Sequence, residues 1–377
     1  MTGAYVTGVG STAYAKRLED SVDALAAKAV LAATNDAGLD PRSIDGIISY
    51  PGHVDAEGII STFGLPDVRF RAEVALGGAS AVSGLGLAAL AVRGGAATTV
   101  LLLRAIKGRS GARKTQRPSY VPGARIRAQL EITAGLNMAA QRYSMLCRRY
   151  MHEHGLEREV LAEVALAARY HANLNPSAQM YGRELTAADY AAGRMIADPY
   201  GLFDCCLESD GACAVLVTAA PTERGAEILA VSEGHSDTPD DLAGRPDLLE
   251  VGLTKAARRV WAQSGLGPAD MDAAMVYDCF TFEVVHQLEA AGFATPSTVA
   301  KLILEDGIRL GGRLPVNTHG GLLSEGHMAG LNHVVEAVRQ LRGECGPRQV
   351  DGARHIAVTG WGNLGDGSIA VLGGRRG

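Results

Sequence analysis

Two histidines stand eight positions apart in a glycine-rich stretch, residues 317–330, NTHGGLLSEGHMAG. Histidine gives or takes a proton near neutral pH, and glycine lets backbone come close to a ligand. Downstream, Leu331, Val334, Val335, Val338 and Leu341 recur at helical spacing, which predicts one buried helix face over residues 327–342. His327 is thus expected to open that helix, where free backbone N–H groups favour negative charge and keep an imidazole neutral. A neutral imidazole can donate a hydrogen bond to an enolate or carbonyl oxygen. His319, in the turn before it, is the second candidate. The plainer readings are a capping histidine and a loop histidine satisfied by backbone.

The third candidate is Tyr277. It ends a strand and opens the segment Tyr-Asp-Cys-Phe-Thr, where Thr281 is expected to cap a helix that packs Val284, Val285 and Leu288 inward and stops at Gly292. Ligands gather at strand ends in α/β sheets. A tyrosine there could act as acid or base if neighbouring positive charge or donors lowered its pKa; otherwise it is a buried hydroxyl with a partner. Cys279 beside it could be a thiolate, although free cysteines are more often buried apolar groups.

Other chemistries lack their residues. No GxGxxG follows the first strand, and neither GxxxxGK[ST] nor GxSxG occurs. HEHG at residues 152–155 is not HExxH, so no metal site is expected. A net charge of −5 makes no case for nucleic acid or membrane. The start of the chain has no signal-peptide pattern, and no uncharged apolar run reaches the roughly 20 residues of a membrane span. Six cysteines without a CxxC pair suit reduced thiols and a cytoplasmic location.

Helices and strands alternate around these candidates. Residues 5–10 read as a buried strand, and Asp20 or Ser21 can cap a helix that ends at Gly38. A strand follows at 45–50. Gly77 and Gly78 turn into an Ala/Leu-rich helix that Ser80 can cap, and 98–103 is a central strand. Residues 38–50, GLDPRSIDGIISY, recur as 265–277, GLGPADMDAAMVY, with Gly, Leu, Pro, Asp and Tyr at the same offsets. This implies two related α/β halves whose helix starts meet at one pocket. Residues 105–200 form an insertion in the first half. At its start, Lys107, Arg109, Arg113, Lys114, Arg117, Arg125 and Arg127 make a basic run with no acidic residue among them. Its plain reading is a solvated loop; its sharper one is a site for a phosphate-rich ligand such as the nucleotide end of coenzyme A.

Three segments carry a family resemblance: YDCFTFEVVHQLEAAGF (277–293), LPVNTHGGLLSEGHMAGLNHVVEAVRQLRGE (314–344) and WGNLGDGSIAVL (361–372). Along almost its whole length the chain resembles the thiolase superfamily, in the sterol-carrier-protein-x and lipid-transfer-like branch. The resemblance implies an α/β thiolase fold, duplicated as five αβαβα layers. Its halves would span 1–222 and 223–377, with a loop domain at about 105–200. Thiolases attack with a cysteine in a Cys-x-Ser/Thr pattern; the match here is Gly78-Ala79-Ser80, without the nucleophile. The second thiolase cysteine is also missing, at 360–363, GWGN. The histidine of the Gly-His-Pro motif remains as His327, followed by Met328.

The resemblance is strongest to the steroid side-chain aldolases, and it implies a CoA-dependent carbon–carbon lyase. Tyr277 would take the β-hydroxyl proton. His327 and backbone near Gly78 and Gly362 would stabilise the enolate, with His319 in support and Ser80 beside the ligand. Coenzyme A would enter as part of the substrate, with no covalently bound cofactor. A homodimer and an OB-fold/zinc-ribbon partner are implied too. In several related aldolases tyrosine stands at the position of His327. Two other functions fit the residues: acyl transfer through Cys279 or Cys206, and a non-catalytic lipid-binding scaffold.

Overall fold

The computed structural model describes residues 3–50, 54–111, 129, 131–236 and 245–374. Strand β1 (Tyr5–Ser11) leads to α1 (Val22–Ala37), whose cap is Ser21, accepting from the Ala24 N–H, and whose end is Gly38 in the left-handed region. Then come β2 (Gly46–Ser49), α2 (Ala56–Phe63), β3 (Phe70–Glu73), α3 (Ser80–Arg93) and β4 (Thr99–Lys107). Between β4 and β7 lie α4 (Ala139–His154), α5 (Arg158–Asn173), α6 (Ala187–Ala192) and the hairpin β5 (Met195–Ala197) and β6 (Tyr200–Gly201). The remaining elements are β7 (Asp210–Thr218), β8 (Ala226–Gly234), α7 (Gly252–Ser264), β9 (Ala273–Met275), α8 (Thr281–Ala290), α9 (Leu331–Leu341), β10 (His355–Gly362) and β11 (Asp366–Gly373).

The strands run β3-β2-β4-β7-β1-β8-β11-β10-β9. Only the pairs Tyr5–Glu227 and Val6–Ala226 join β1 to β8. On either side of that seam the pairing is the same: two antiparallel neighbours, then a parallel one. A parallel bridge from Ala274 to Val316 stands where β3 stands in the first half.

Alternation along the strands explains the layers. In β4, Leu101 and Leu103 face α1, while Val100 and Leu102 face α3 and α9. In β7, Leu216 and Val215 divide the same way. α3 and α9 form a middle layer touching strands of both halves; a methyl on Gly86 of α3 would lie 2.9 Å from Val231 of β8. α7 and α8 cover the far side with α4 and α5, around Phe282, Val285, Tyr150 and Trp361. The result is the expected five layers, with α1 outermost on one side and α7–α8 on the other.

The repeated segments fold alike. Gly38 and Gly265 both end helices in the left-handed region, and short 3-10 turns follow at Pro41–Ser43 and Pro268–Asp270. Asp45 accepts from the backbone N–H groups of Thr98 and Thr99 at 2.9 and 2.8 Å, and Asp272 accepts from those of Arg354 and His355 at 2.7 and 2.9 Å. Each aspartate ties its own strand to the start of the next parallel one.

Three local expectations are corrected. α9 begins at Leu331, not at residue 327, because Ala329 and Gly330 take φ of 53° and 85° and stop any earlier helical turn. Thr281 does not cap α8: its hydroxyl donates to Asp204 Oδ1 at 2.7 Å, and Phe280 holds the cap position without a side-chain bond. Ser80 opens α3 rather than preceding it, and its hydroxyl accepts the Leu76 N–H at 2.9 Å. Of the basic run, Arg113, Lys114, Arg117, Arg125 and Arg127 lie outside the described residues.

Candidate active site

Tyr277 follows β9 and is buried. Its N–H donates to Thr359 Oγ1 at 3.4 Å, and its carbonyl accepts from Gln287 Nε2 at 2.6 Å. The Thr359 hydroxyl donates to Gln287 Oε1 at 2.8 Å, closing a ring of bonds from β10 and α8 around this one residue. The phenol projects toward Gly78. A Cβ built on Gly78 would lie 2.1 Å from Tyr277 Cζ and 2.3 Å from the carbonyl oxygen of Trp361. The space a side chain at 78 would need is already filled by the tyrosine ring and by backbone.

Gly330 supplies the opposite wall. A Cβ there would meet Tyr277 Cδ2 at 3.1 Å and the Gly78 carbonyl oxygen at 3.6 Å. The starts of α3 and α9 therefore meet over Tyr277 as the repeat implied, with Gly330, downstream of the Gly320–Gly321 pair, marking the second start. Gly362 touches the same backbone: its Cβ would fall 1.9 Å from the Leu76 carbonyl oxygen. Ser80 lines a small cavity of about 30 Å³ with Tyr50, Arg104 and Met328, next to the turn before α9.

His327 is half-buried, its N–H donating to Ser209 Oγ at 3.1 Å. Its ring stands edge-on to Tyr277, centroids 6.4 Å apart at 84°. It lies in the turn before α9, not in the helix. Asn332 closes the turn by donating to Glu325 Oε2 at 2.8 Å and the Gly326 carbonyl at 3.2 Å.

His319 is fully buried, away from the phenol of Tyr277 and against His333. Its Nε2 lies 2.8 Å from His333 Nδ1. His333 Nε2 lies 3.2 Å from Asp278 Oδ1, near enough for attraction but not aligned as a hydrogen bond. Asp278 also accepts the N–H groups of Leu322 and Leu323 at 2.8 and 3.2 Å. A Cβ on Gly321 would fall 1.9 Å from Asp278 Oδ2, so only glycine lets this carboxylate in. The chain Asp278–His333–His319 ties the strand end, the glycine turn and the first turn of α9 together. The His333 ring is also edge-on to Tyr277 at 6.4 Å. Sequence reasoning missed His333, which sits among the apolar positions of α9; the signal available was a histidine on a helix with a buried face.

Burial pushes the Tyr277 phenol well above its ordinary value, and the thiols of Cys279 and Cys206 add to the rise. The phenol is thereby held neutral. Burial also drives His319 well below its ordinary value, reinforced by His333, Arg348, His171 and Arg339, which makes it a neutral imidazole. Glu325 is pushed up to about 8, chiefly by burial.

Residues 234–374 match the family described as Thiolase C-terminal domain-like. The chain is 37% identical to a 17-hydroxy-3-oxo-4-pregnene-20-carboxyl-CoA lyase of Mycobacterium tuberculosis, over 94% of this chain and 95% of that one. It is 36% identical to a steroid side-chain-cleaving aldolase of Thermomonospora curvata, over 90% of each. A solved Ltp2-ChsH2(DUF35) aldolase superposes with a TM-score of 0.93 at 34% identity, covering 100% of this chain and 99% of that one. Human mitochondrial 3-ketoacyl-CoA thiolase shares the fold at a TM-score of 0.71 and 14% identity, over 100% and 99%. The chain belongs to the thiolase superfamily, within the lipid-transfer-like branch that holds the steroid side-chain aldolases.

Proposed function

We propose that this protein is a carbon–carbon lyase that cleaves a β-hydroxyacyl-CoA by retro-aldol reaction, with a steroid or similar polycyclic ketone as one product. The observation that carries this reading is the Tyr277 ring in the space where a side chain at Gly78 would stand. A site closed to that nucleophile has no place for the thiolase acyl-enzyme, yet it keeps the groups that handle an enolate. In the reaction the β-hydroxyl loses its proton, its electrons form the ketone, and the Cα–Cβ bond breaks to leave the acyl-CoA enolate. Protonation at Cα releases the shorter acyl-CoA.

The neutral phenol of Tyr277 reverses the roles expected from sequence. Tyr277 donates to the enolate oxygen, and His327, the half-buried imidazole across from it, takes the hydroxyl proton. His319 acts through His333 and Asp278, and the backbone at Gly78 and Gly362 shapes the wall. Coenzyme A belongs to the substrate, and no further cofactor takes part. The test is cleavage of a β-hydroxyacyl-CoA followed across pH. Tyr277→Phe and His327→Gln should each lower kcat about 100-fold or more. Near-normal turnover by Tyr277→Phe would sink the assignment.

The partner follows from the same reading. The solved relative is an Ltp2-ChsH2(DUF35) aldolase, which supports a partner protein for the present chain; we take that partner to be an OB-fold/zinc-ribbon protein and the chain to be a homodimer in the cytoplasm. Light scattering of the purified chain, alone and with such a partner, measures both stoichiometries. Among the described residues, no helix is long and apolar enough to cross a membrane.

A further inference from the structure

The hairpin that joins β10 to β11 carries backbone strain beside Tyr277. The Gly365 N–H donates to the Gly362 carbonyl at 3.0 Å, closing a turn whose central residues are Asn363 and Leu364. Both take positive φ, 48° and 57°. Asparagine tolerates the left-handed region because its short polar side chain bonds locally. Leucine has no such bond, and its Cβ makes the conformation costly. Strain of this kind persists only where the surroundings fix it, and it gathers at functional sites. This turn lies against the Gly77–Gly78 backbone. A Cβ on Gly77 would fall 3.2 Å from Gly362 Cα and 3.4 Å from both the N and the Oδ1 of Asn363; one on Gly362 would fall 3.1 Å from the Gly78 N.

Two sets of bonds hold the turn. On the inner side Leu364 is buried, and its N–H donates to the Tyr143 hydroxyl at 3.3 Å. The Gly365 carbonyl accepts the Gly252 N–H at the start of α7 at 2.7 Å. On the outer side stands Asp366, which is buried. Its Oδ2 accepts from Asn363 Nδ2 at 2.9 Å, and its Oδ1 lies 2.9 Å from His235 Nδ1. A carboxylate only accepts, so the amide nitrogen of Asn363 faces it and His235 carries a proton on Nδ1. The amide oxygen of Asn363 is left beside Gly77, with no donor to it among the described residues. His235 follows β8, and its side chain is 48% exposed. Its Nε2 faces the exposed Glu233 at 3.8 Å, a surface pairing that fixes little. The chain His235–Asp366–Asn363 therefore runs from the surface, through a buried carboxylate, to backbone that touches Gly77 and Gly78. It is separate from the chain Asp278–His333–His319.

We propose that His235, Asp366 and Asn363 are positioning residues for the cleavage: they hold the strained turn after β10 so that its backbone and the Asn363 amide oxygen keep their places against Gly77 and Gly78. The inference rests on the lyase reading for the reaction that the chain serves. The test uses the full chain and two measurements, turnover of a β-hydroxyacyl-CoA and hydrogen exchange of the segment 360–368, which needs no substrate. Asn363→Gly removes the amide but takes the left-handed φ without strain. Relief of strain offsets the lost hydrogen bond in stability, so its melting temperature should stay near that of the wild type. Its kcat should nevertheless fall about tenfold with KM little changed, because a small misplacement at the site is costly in rate. The segment should exchange about tenfold faster, as the turn opens more often. His235→Ala should move both readouts in the same direction. His235→Asn, which keeps a donor near the place of Nδ1, should recover most of what His235→Ala loses. Equal loss in the two His235 variants overturns the proposal. So does wild-type kcat in Asn363→Gly with faster exchange, which would make the chain merely structural. If the wild type cleaves no β-hydroxyacyl-CoA while exchange rises in Asn363→Gly and His235→Ala and is restored in His235→Asn, the lyase reading fails and the chain's hold on the turn stands. If the wild type turns over and neither kcat nor exchange moves in the variants, the chain fails and the lyase reading stands.

Discussion

At position 78 the absent side chain is a steric necessity as much as a lost nucleophile. Gly78→Ala drives a methyl into Tyr277 Cζ and the Trp361 carbonyl, neither of which can move freely. It should destabilise the fold by about 1–3 kcal/mol. Adding Tyr277→Ala should recover only part of that, because the carbonyl clash remains; denaturant titration of the single and double variants measures the coupling. His333 poses the opposite problem, a group whose value lies in its partners. His333→Phe removes the acceptor or donor facing His319 Nε2, at a cost of about 1–3 kcal/mol for the buried group left alone. His333→Asn, which keeps a polar atom there, should recover more of kcat than of stability, and equal recovery of both would make His333 merely structural. Tyr277 was legible in the sequence because it stands just past a recognisable strand, and His327 because it lies in a glycine-rich turn. His333 was not, because its role depends on Asp278, 55 positions earlier, and no local pattern reports that distance. Tyr277 also shows that a residue's place is easier to read than its protonation, which is set by burial.

The turn between the glycine pair and α9 is the element where local reasoning ran furthest from the structure. The apolar spacing was right for α9, but the start was misplaced because positive φ at Ala329 and Gly330 cannot be read from spacing. Glu325 anchors this turn, accepting from Asn332 and from Asn175, the latter at 3.1 Å. Its folded pKa of about 8 exceeds the ordinary glutamate value of about 4.3. Stability from this group is fully present below the unfolded value and is lost as pH rises toward 8, where the folded carboxyl also ionises. Thermal melts should therefore fall across that window. Glu325→Gln should flatten the slope while lowering stability at acid pH, since one of its two donors then faces an NH₂ group. An unchanged slope in the variant would place the titration elsewhere.

The duplication could be read in the sequence because three of the five matching residues have a backbone reason: glycine to end the helix, proline to start the 3-10 turn, aspartate to bind the next strand. The seam between β1 and β8 and the shared middle layer could not, since both depend on contacts between halves. That seam is short, but α3 and α9 pack against strands of both halves, so neither half can lose its inner face without exposing the other's. The molecule should unfold as one cooperative unit. Asp45→Ala and Asp272→Ala test this from the two ends of the sheet. Asp45 also pairs with Arg69 and accepts from the Thr98 hydroxyl, while among the described residues Asp272 accepts from its two backbone donors. Each substitution should cost about 1–3 kcal/mol, Asp45→Ala the more, and distant sites should add. Calorimetry should find a single transition in both variants, shifted down by amounts that sum in the double variant. A split in which Asp45→Ala lowers one transition and Asp272→Ala another would mean that the halves stand independently and that the pocket between α3 and α9 is held by their docking.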